Sequence, residues 1–212
     1  MTSPAYASAM SVQLARLHAR LAQGMPRRGW KVGINVPEVQ RALGLDHALI
    51  GWLDGERVLQ DGAVLVAAPG SALHVEPELC LRLRAAVSPD ADEAAAQAAV
   101  EGVAPALELV NYAQPRASLA DVVGHSMFHH AVVVGAFRAL DVSGKLAAPD
   151  AVTFRVGGVT SEPARAELVP ARAGQLVLQV AARLAECGER LEAGDWLISG
   201  SYMARALPLA PG

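Results

Sequence analysis

Two glutamates two residues apart, Glu76 and Glu78, stand in the segment HVEPELCLRL, whose alternation of apolar and polar residues predicts a β-strand. Side chains at i and i+2 of a strand leave on one face, so both carboxylates share a face with His74, while Val75, Pro77 and Leu79 leave on the other. Two like charges on an apolar strand repel each other and are costly to desolvate, so they call for a cation, basic partners or water. A third carboxylate, Glu108, lies inside the apolar stretch APALELV, where a lone charge is equally awkward. Three such groups suggest a metal. All-carboxylate ligation completed by water suits Mg²⁺ or Mn²⁺, and open positions on such an ion can chelate the carboxylate and 2-oxygen of a 2-oxo acid, with the ion acting as a Lewis acid. The same spacing fits a plainer arrangement, with Glu76 and Glu78 on a solvated sheet edge and Glu108 in a salt bridge; an E-x-E pair does not choose between them.

These residues need elements to hold them. Leu14, Leu17 and Leu21 recur at helical spacing, predicting an amphipathic helix over about 11–23, stopped by Gly24 and Pro26 and suited to a lid or an interface. GWKVGIN reads as a short strand, and NVPEVQRALG as a helix with Asn35 as cap, Glu38 three residues on and Gly44 at the stop. Asp54-Gly55 and Asp61-Gly62 punctuate short apolar runs between Ile50 and Ala67 and predict antiparallel hairpins. Further strands are expected in HVEPELCLRL, APALELVNY, HHAVVVGAF, TFRVGG, PARAELV and DWLISG. Helices are expected in DEAAAQAAVEG and in GQLVLQVAARLAEC, where Leu176, Val180 and Leu184 share a face. Strands grouped as hairpins without regular βαβ alternation give an α+β class with a mixed, mostly antiparallel sheet.

At 212 residues the chain has the size of one domain, and we expect a single catalytic domain over 1–212, with an N-terminal helical segment (1–28) ahead of a β core (29–212). Hydrophobic residues at 52% and charged residues at 18% supply ample core. A net charge of -3 with scattered Lys and Arg offers no footprint for nucleic acid or an anionic membrane, and 4% aromatics leave few base-stacking platforms. Cys80 and Cys187 lack CxxC spacing and read as reduced packing residues. With no basic, apolar leader and no run long enough to span a membrane, the expected location is cytoplasmic.

The segments GWKVGINVPEVQRALGLD, HVEPELCLRL, VAPALELVN and LEAGDWLISGSYMARALPLAPG occur in the order seen in the fumarylacetoacetate hydrolase superfamily, and together they reach across most of the chain. More narrowly, G-x-K-x-G followed by P-x-V-Q-x-x-L-G resembles the 2-hydroxypenta-2,4-dienoate hydratase and 4-oxalocrotonate decarboxylase branch. The resemblance implies a mixed β-roll, a homo-oligomer, Glu76, Glu78 and Glu108 as ligands of Mg²⁺ or Mn²⁺, and Lys31 beside the substrate, moving a proton or holding its carboxylate. Ser199 and Gly200, within the matched LISGS stretch, are the substrate-binding candidates with Lys31. Two segments depart from the pattern. The Asp that usually precedes F-G-x-L is missing where this chain reads Asp46-His47-Ala48-Leu49-Ile50-Gly51, and A-D-N-A-S-x-G is replaced by Gly124-His125-Ser126-Met127-Phe128-His129-His130. His125 and His129 are therefore the substitute proton carriers, with ordinary hydrogen-bonded histidines as the alternative. The family pattern also continues past the point where this chain stops, Pro211-Gly212, which implies a sheet edge that is either missing or supplied by a partner. The leading expectation is hydration of a 2-hydroxy-2,4-dienoate to a 4-hydroxy-2-oxo acid, as in aromatic meta-cleavage catabolism. Its alternatives are decarboxylation of a 2-oxo diacid, with Arg116 or Arg205 facing the second carboxylate, and a non-catalytic 2-oxo-acid-binding subunit that assembles with a homologue.

Overall fold

The computed structural model describes residues 4–210. Strands β1 (Arg27–Gly33), β2 (Leu49–Asp54), β3 (Val58–Gln60), β4 (Leu73–Leu83), β5 (Val100–Asn111), β6 (His129–Val134) and β9 (Trp196–Ile198) form one sheet in the order β2-β1-β9-β4-β5-β6-β3. Strand β10 (Leu207–Pro208) pairs with β4, and β7 (Arg155–Val156) with β8 (Val159–Thr160) makes a separate small hairpin. Pairing is antiparallel except for β1 with β9 and β3 with β6, so the mostly antiparallel roll expected from the sequence is the fold that forms. The sheet curls until the Ser126 hydroxyl, just before β6, donates to the Trp52 carbonyl of β2, 2.9 Å away.

Helices α1 (Pro4–Ala22), α2 (Pro37–Ala42), α3 (Glu93–Ala98), α4 (Leu119–Gly124) and α5 (Ala173–Ala185) flank the roll. Helix α1 begins well before the expected 11–23, because Tyr6, Ala9 and Met10 extend the buried stripe of Gln13, Leu14 and Leu17 by two further turns. It is part of the body of the fold, with Arg16 donating to the Gly124 carbonyl at the end of α4. Leu176, Val180 and Leu184 of α5 are fully buried in the main core, as their spacing requires. A second apolar cluster, Leu53, Cys80, Ala106, Val132 and Ile198, fills the inside of the roll. Cys80 and Cys187 are both free thiols. Among the described residues no helix is long and apolar enough to cross a membrane.

Several local expectations are corrected. Asn35 does not cap α2: the cap is Val36, with no side-chain bond, and the Asn35 amide instead donates to Leu168 O at 2.8 Å. Gly44, at φ 71, does end that helix region. Asp54-Gly55 opens a single 3₁₀ turn (Gly55–Arg57), not a hairpin, and β3 then crosses to lie parallel to β6. The stretch after Ala98 in DEAAAQAAVEG is the start of β5, and PARAELV holds a 3₁₀ turn (Ala166–Leu168) in place of a strand. Strand β1 starts at Arg27, two residues before the boundary expected at 29. Pro211 and Gly212 lie outside the described residues.

Prolines at Pro77 and Pro105, in two central strands, run against the usual confinement of proline to sheet edges. Both sit where a neighbouring strand is leaving. The ladder between β4 and β9 runs from Cys80 to Arg82, and beyond it the Pro77 carbonyl accepts Tyr202 N–H at 2.8 Å. The Pro105 carbonyl likewise accepts Gly135 N–H, one residue past the end of β6. The missing donors therefore cost no ladder bonds, and the opening beside Pro77 is where the chain turns into the site.

Candidate metal centre

Register brings the carboxylates together. Glu76 pairs directly with Glu108 across the β4–β5 ladder, and Glu78 lies two residues along on the same face. One carboxylate oxygen from each of the three lies within 4.8 Å of the others, with Glu78 and Glu108 buried and Glu76 half-buried. The solvated-edge alternative is thereby excluded for Glu78, which is 4% exposed. Glu78 and Glu108 are each held through one oxygen. Glu78 Oε2 accepts the Gly200 N–H at 2.8 Å, donated from the turn that leaves β9 beside Pro77. Gly200 has φ 85, a left-handed conformation that suits glycine. Glu108 Oε1 accepts from Lys31 Nζ at 2.5 Å and from His129 Nδ1 at 2.8 Å.

Lys31 reaches Glu108 through the curl of the sheet, since β1 and β5 are not neighbours. Its ammonium, 2% exposed, also meets Met127 O at 3.4 Å, leaving one of its three donors for the cavity. Met127 belongs to an unusual turn: Ser126, Met127 and Phe128 have φ of 49, 48 and 67. Left-handed residues other than glycine cost roughly 1–2 kcal/mol each, so the surroundings must hold the turn in place. They do so through Ser126 to Trp52, through the Asn111 N–H to the Phe128 carbonyl at 2.9 Å, and through the bare Cα of Gly51. A Cβ on Gly51 would lie 2.3 Å from Ser126 Oγ and 2.8 Å from Met127 Cε.

The charge distribution is uneven. Burial alone pushes Glu108 up, but Lys31 and His129 outweigh it and hold the carboxyl below its ordinary value. For Glu78 burial, then Glu108 and Glu76, push the carboxyl well up, and Lys31 and the Gly200 N–H offset them only in part. Glu76 is raised to about 7 by burial and by Glu108. Burial, with Glu76 and Glu108 nearby, also pushes the Tyr112 phenol up, so it stays neutral.

The carboxylates and Lys31 form one side of a cavity of about 160 Å³. Its other walls are mainly apolar: Val36 and Val39 from the α2 segment, Ile34, Val110, Met127 and Phe128, with Tyr112, Asn35 and Ser201 as polar contributors. Ile34, at φ 53, is a strained β-branched residue at the junction between β1 and that segment. The sequence-based candidates divide accordingly. Lys31, Glu76, Glu78 and Glu108 meet at the cavity. His129 touches Glu108 but does not line the cavity. His125 lies at the end of α4 with burial and Arg16 depressing its pKa, away from the carboxylates. Ser199 is fully buried, accepting the Leu79 N–H and donating to Gly200 O, so it shapes the turn and Ser201 is the serine that faces the cavity. Asp46 is 88% exposed and remote from the cavity wall. Arg116 sits above the Tyr112 ring, 6.0 Å from its centroid, outside the lining, and Arg205 is not part of it either. Ile34, Val36, Val39 and Tyr112 were not singled out by the sequence; Met127 and Phe128 stood in the stretch that departs from the family pattern but were given no role, since no Gly, Asn or Asp at Ser126-Met127-Phe128 announces the left-handed turn.

No family model matches the chain. It is 30% identical over 212 residues to 4-oxalocrotonate decarboxylase from a Pseudomonas species, an alignment that takes in 96% of this chain and 79% of that protein. Among solved structures, it superposes on 4-oxalocrotonate decarboxylase from Pseudomonas putida G7, complexed with magnesium and adipate, with a TM-score of 0.81 at 22% identity, over 98% of this chain and 79% of that one. Fumarylpyruvate hydrolase from Pseudomonas aeruginosa, in complex with Mn²⁺ and pyruvate, matches with a TM-score of 0.63 at 16% identity over 89% of this chain and 83% of that one.

Proposed function

Because the chain belongs to the fumarylacetoacetate hydrolase superfamily, in the branch of the hydroxydienoate hydratases and 4-oxalocrotonate decarboxylases, we propose that it is a divalent-metal-dependent lyase that removes carbon dioxide from a small 2-oxo diacid of the 4-oxalocrotonate type. The observation that carries this reading is the convergence of Glu76, Glu78 and Glu108 within 4.8 Å at the floor of a cavity with apolar opposing walls. The donor set fits Mg²⁺ or Mn²⁺: all ligands are hard oxygens, and two of the three carboxylates have no cationic partner of their own. One oxygen of Glu78 and one of Glu108 is already anchored by the protein, which favours one-oxygen ligation from each and leaves positions open.

Glu76, Glu78 and Glu108 would hold Mg²⁺ or Mn²⁺, which would supply a Lewis acid for the carboxylate and 2-oxygen of a 2-oxo acid. Lys31, kept in place by Glu108 and Met127, would have one N–H left to donate to that 2-oxygen, where negative charge would develop. The far carboxylate would lie toward the apolar part of the lining, Val36, Val39, Val110 and Phe128. An apolar wall withholds both water and a counter-cation from it, which favours the neutral product carbon dioxide over the bound anion. This replaces the expectation of an arginine counter-charge. Hydration ranks below decarboxylation here, since delivering water requires a second acid or base, and Asp46, His125 and His129 all lie off the cavity wall.

The test is to supply the purified protein with 2-oxohex-3-enedioate and with 2-hydroxypenta-2,4-dienoate, each with Mg²⁺, with Mn²⁺ and with chelator. Metal-dependent carbon dioxide release from the first substrate, lost in Glu78→Gln, is the expected result. Turnover of the dienoate alone would make the protein a hydratase; metal binding without turnover of either would make it a binding subunit.

A further inference from the structure

Regular alternation along β6 from Val132, which pairs with Glu108, would bring His130 to the face of the carboxylates. It does not, because a bulge opposite Leu109 and Val110 inserts one residue: Leu109 pairs with Ala131 and Val110 with His129. The inserted residue hands the inward position to His129 and leaves His130 off it. Immediately before the bulge stand the three left-handed residues Ser126, Met127 and Phe128. Two costly backbone departures in succession thus deliver one imidazole, 2% exposed, to Glu108 Oε1 at 2.8 Å. A carboxylate held in its ionised form only accepts hydrogen bonds, so Nδ1 carries the hydrogen. The ring's other nitrogen, Nε2, is buried without a hydrogen-bond partner and His129 is absent from the cavity lining, so the imidazole works from behind Glu108 and not on the substrate.

We propose that His129 is a positioning residue that, with Lys31, occupies Glu108 Oε1 and so fixes the rotamer that turns the other oxygen towards Glu76 and Glu78 for the cation. The proposal rests on the metal reading above. Lys31 alone would leave the carboxylate free to pivot about a single contact; a second donor from a different strand defines its plane. His129 thereby acts on cation affinity through Glu108.

The test compares His129→Asn, whose side-chain N–H can stand where Nδ1–H stands, with His129→Leu, which keeps bulk and removes the donor. Mn²⁺ affinity is measured by titration calorimetry on the full chain, and the histidine tautomer by long-range ¹H–¹⁵N correlation in parent protein without metal. Loss of roughly 10–100-fold in Mn²⁺ affinity in His129→Leu, recovered in His129→Asn, with His129 as the Nδ1–H tautomer, is the expected result. Equal losses in both variants would reduce His129 to packing, and unchanged affinity in both, or an Nε2–H tautomer, would overturn the proposal. A parent protein that does not take up Mn²⁺ would overturn the metal reading itself, and this proposal with it, which separates the two failures.

Discussion

The uneven charge of the three carboxylates has a thermodynamic signature that can be measured without any substrate. In the metal-free protein Glu76 is raised to about 7 from the ordinary 4.5, and Glu78 is raised well above its ordinary value, in both cases chiefly by burial. A carboxyl raised in the folded state binds a proton there that the unfolded chain has already released. Its stabilising contribution is therefore complete below the unfolded value and is lost as pH climbs through the folded one. Metal-free protein should lose stability between about pH 4.5 and 7. For Glu76 alone the shift bounds the loss at about 3 kcal/mol, and its half-buried position beside the cavity reduces that to roughly 2 kcal/mol, or about 4–8 °C in Tm for a chain of this size. Glu108, held low by its partners, contributes only below the ordinary carboxylate range, outside this window.

Binding of a cation requires both raised carboxyls to be ionised, so the stability that Mg²⁺ or Mn²⁺ adds should grow with pH across the same window, by up to about 1.4 kcal/mol per pH unit for each proton displaced. His125 and His130, both depressed chiefly by burial, push the other way, since a histidine lowered in the folded state adds stability as pH rises. They cancel when the melting temperatures with and without metal are subtracted. The assay is a series of paired melts from pH 5 to 8.5 with Mn²⁺ and with chelator, repeated for Glu76→Gln, which should flatten the slope by the share of one proton. A metal increment that does not vary with pH, or a metal-free protein that gains stability from pH 5 to 7 in a variant lacking His125 and His130, would refute the reasoning.

Four further outcomes follow. Glu78→Gln should abolish Mn²⁺ uptake while raising the metal-free melting temperature at pH 8, because it removes a buried charge without a cationic partner; calorimetry and thermal melts read the two effects. Lys31→Met should cost about 3 kcal/mol in urea unfolding, since Glu108 keeps only the hydrogen bond from His129, and should lower kcat/KM by at least about a hundredfold. Gly51→Ala should depress activity far more than its size suggests, because the added carbon meets Ser126 Oγ at 2.3 Å and displaces the turn that holds Lys31; a lowered kcat/KM with a lower Tm checks it. Val39→Arg, placing a cation on the apolar wall, should lower both KM and kcat for the diacid, as the carboxylate due to leave becomes better bound than the transition state.

The parts of this fold legible in the sequence were those with a short-range period. Glu76 and Glu78 could be assigned to one face because strand alternation is strict, and α5 could be drawn from its apolar spacing. What escaped were features decided by distant contacts. Asp54-Gly55 is as good a hairpin signal as any, yet the curl of the sheet offers β3 a parallel partner in β6 and the local turn yields to it. Asn35 has the composition of a cap but is drawn off by the Leu168 carbonyl, over a hundred residues away in the chain. The bulge that exchanges His129 for His130 is invisible in HHAVVV, where either histidine could face inward. The left-handed turn at Ser126-Met127-Phe128 has no glycine to announce it, since its conformation is imposed by Trp52, Asn111 and Gly51 and not by its own residues.

The two departures from the family pattern look like separate losses along the chain, but the structure gives them different weight. The one at Asp46 falls on the surface and changes no wall of the cavity. The one at 124–130 rebuilds the surroundings of Glu108, supplying the carbonyl that accepts from Lys31, two apolar side chains of the cavity wall and the imidazole behind the carboxylate. Three carboxylates less one ammonium leave two negative charges, and on our reading that remainder is what a divalent cation neutralises. Had the rebuilt segment brought a second permanent cation to Glu108, the remainder would fall to one and the affinity for a dication with it. A histidine is not a permanent cation, and its Nδ1 fixes the geometry of Glu108 through a hydrogen bond at 2.8 Å.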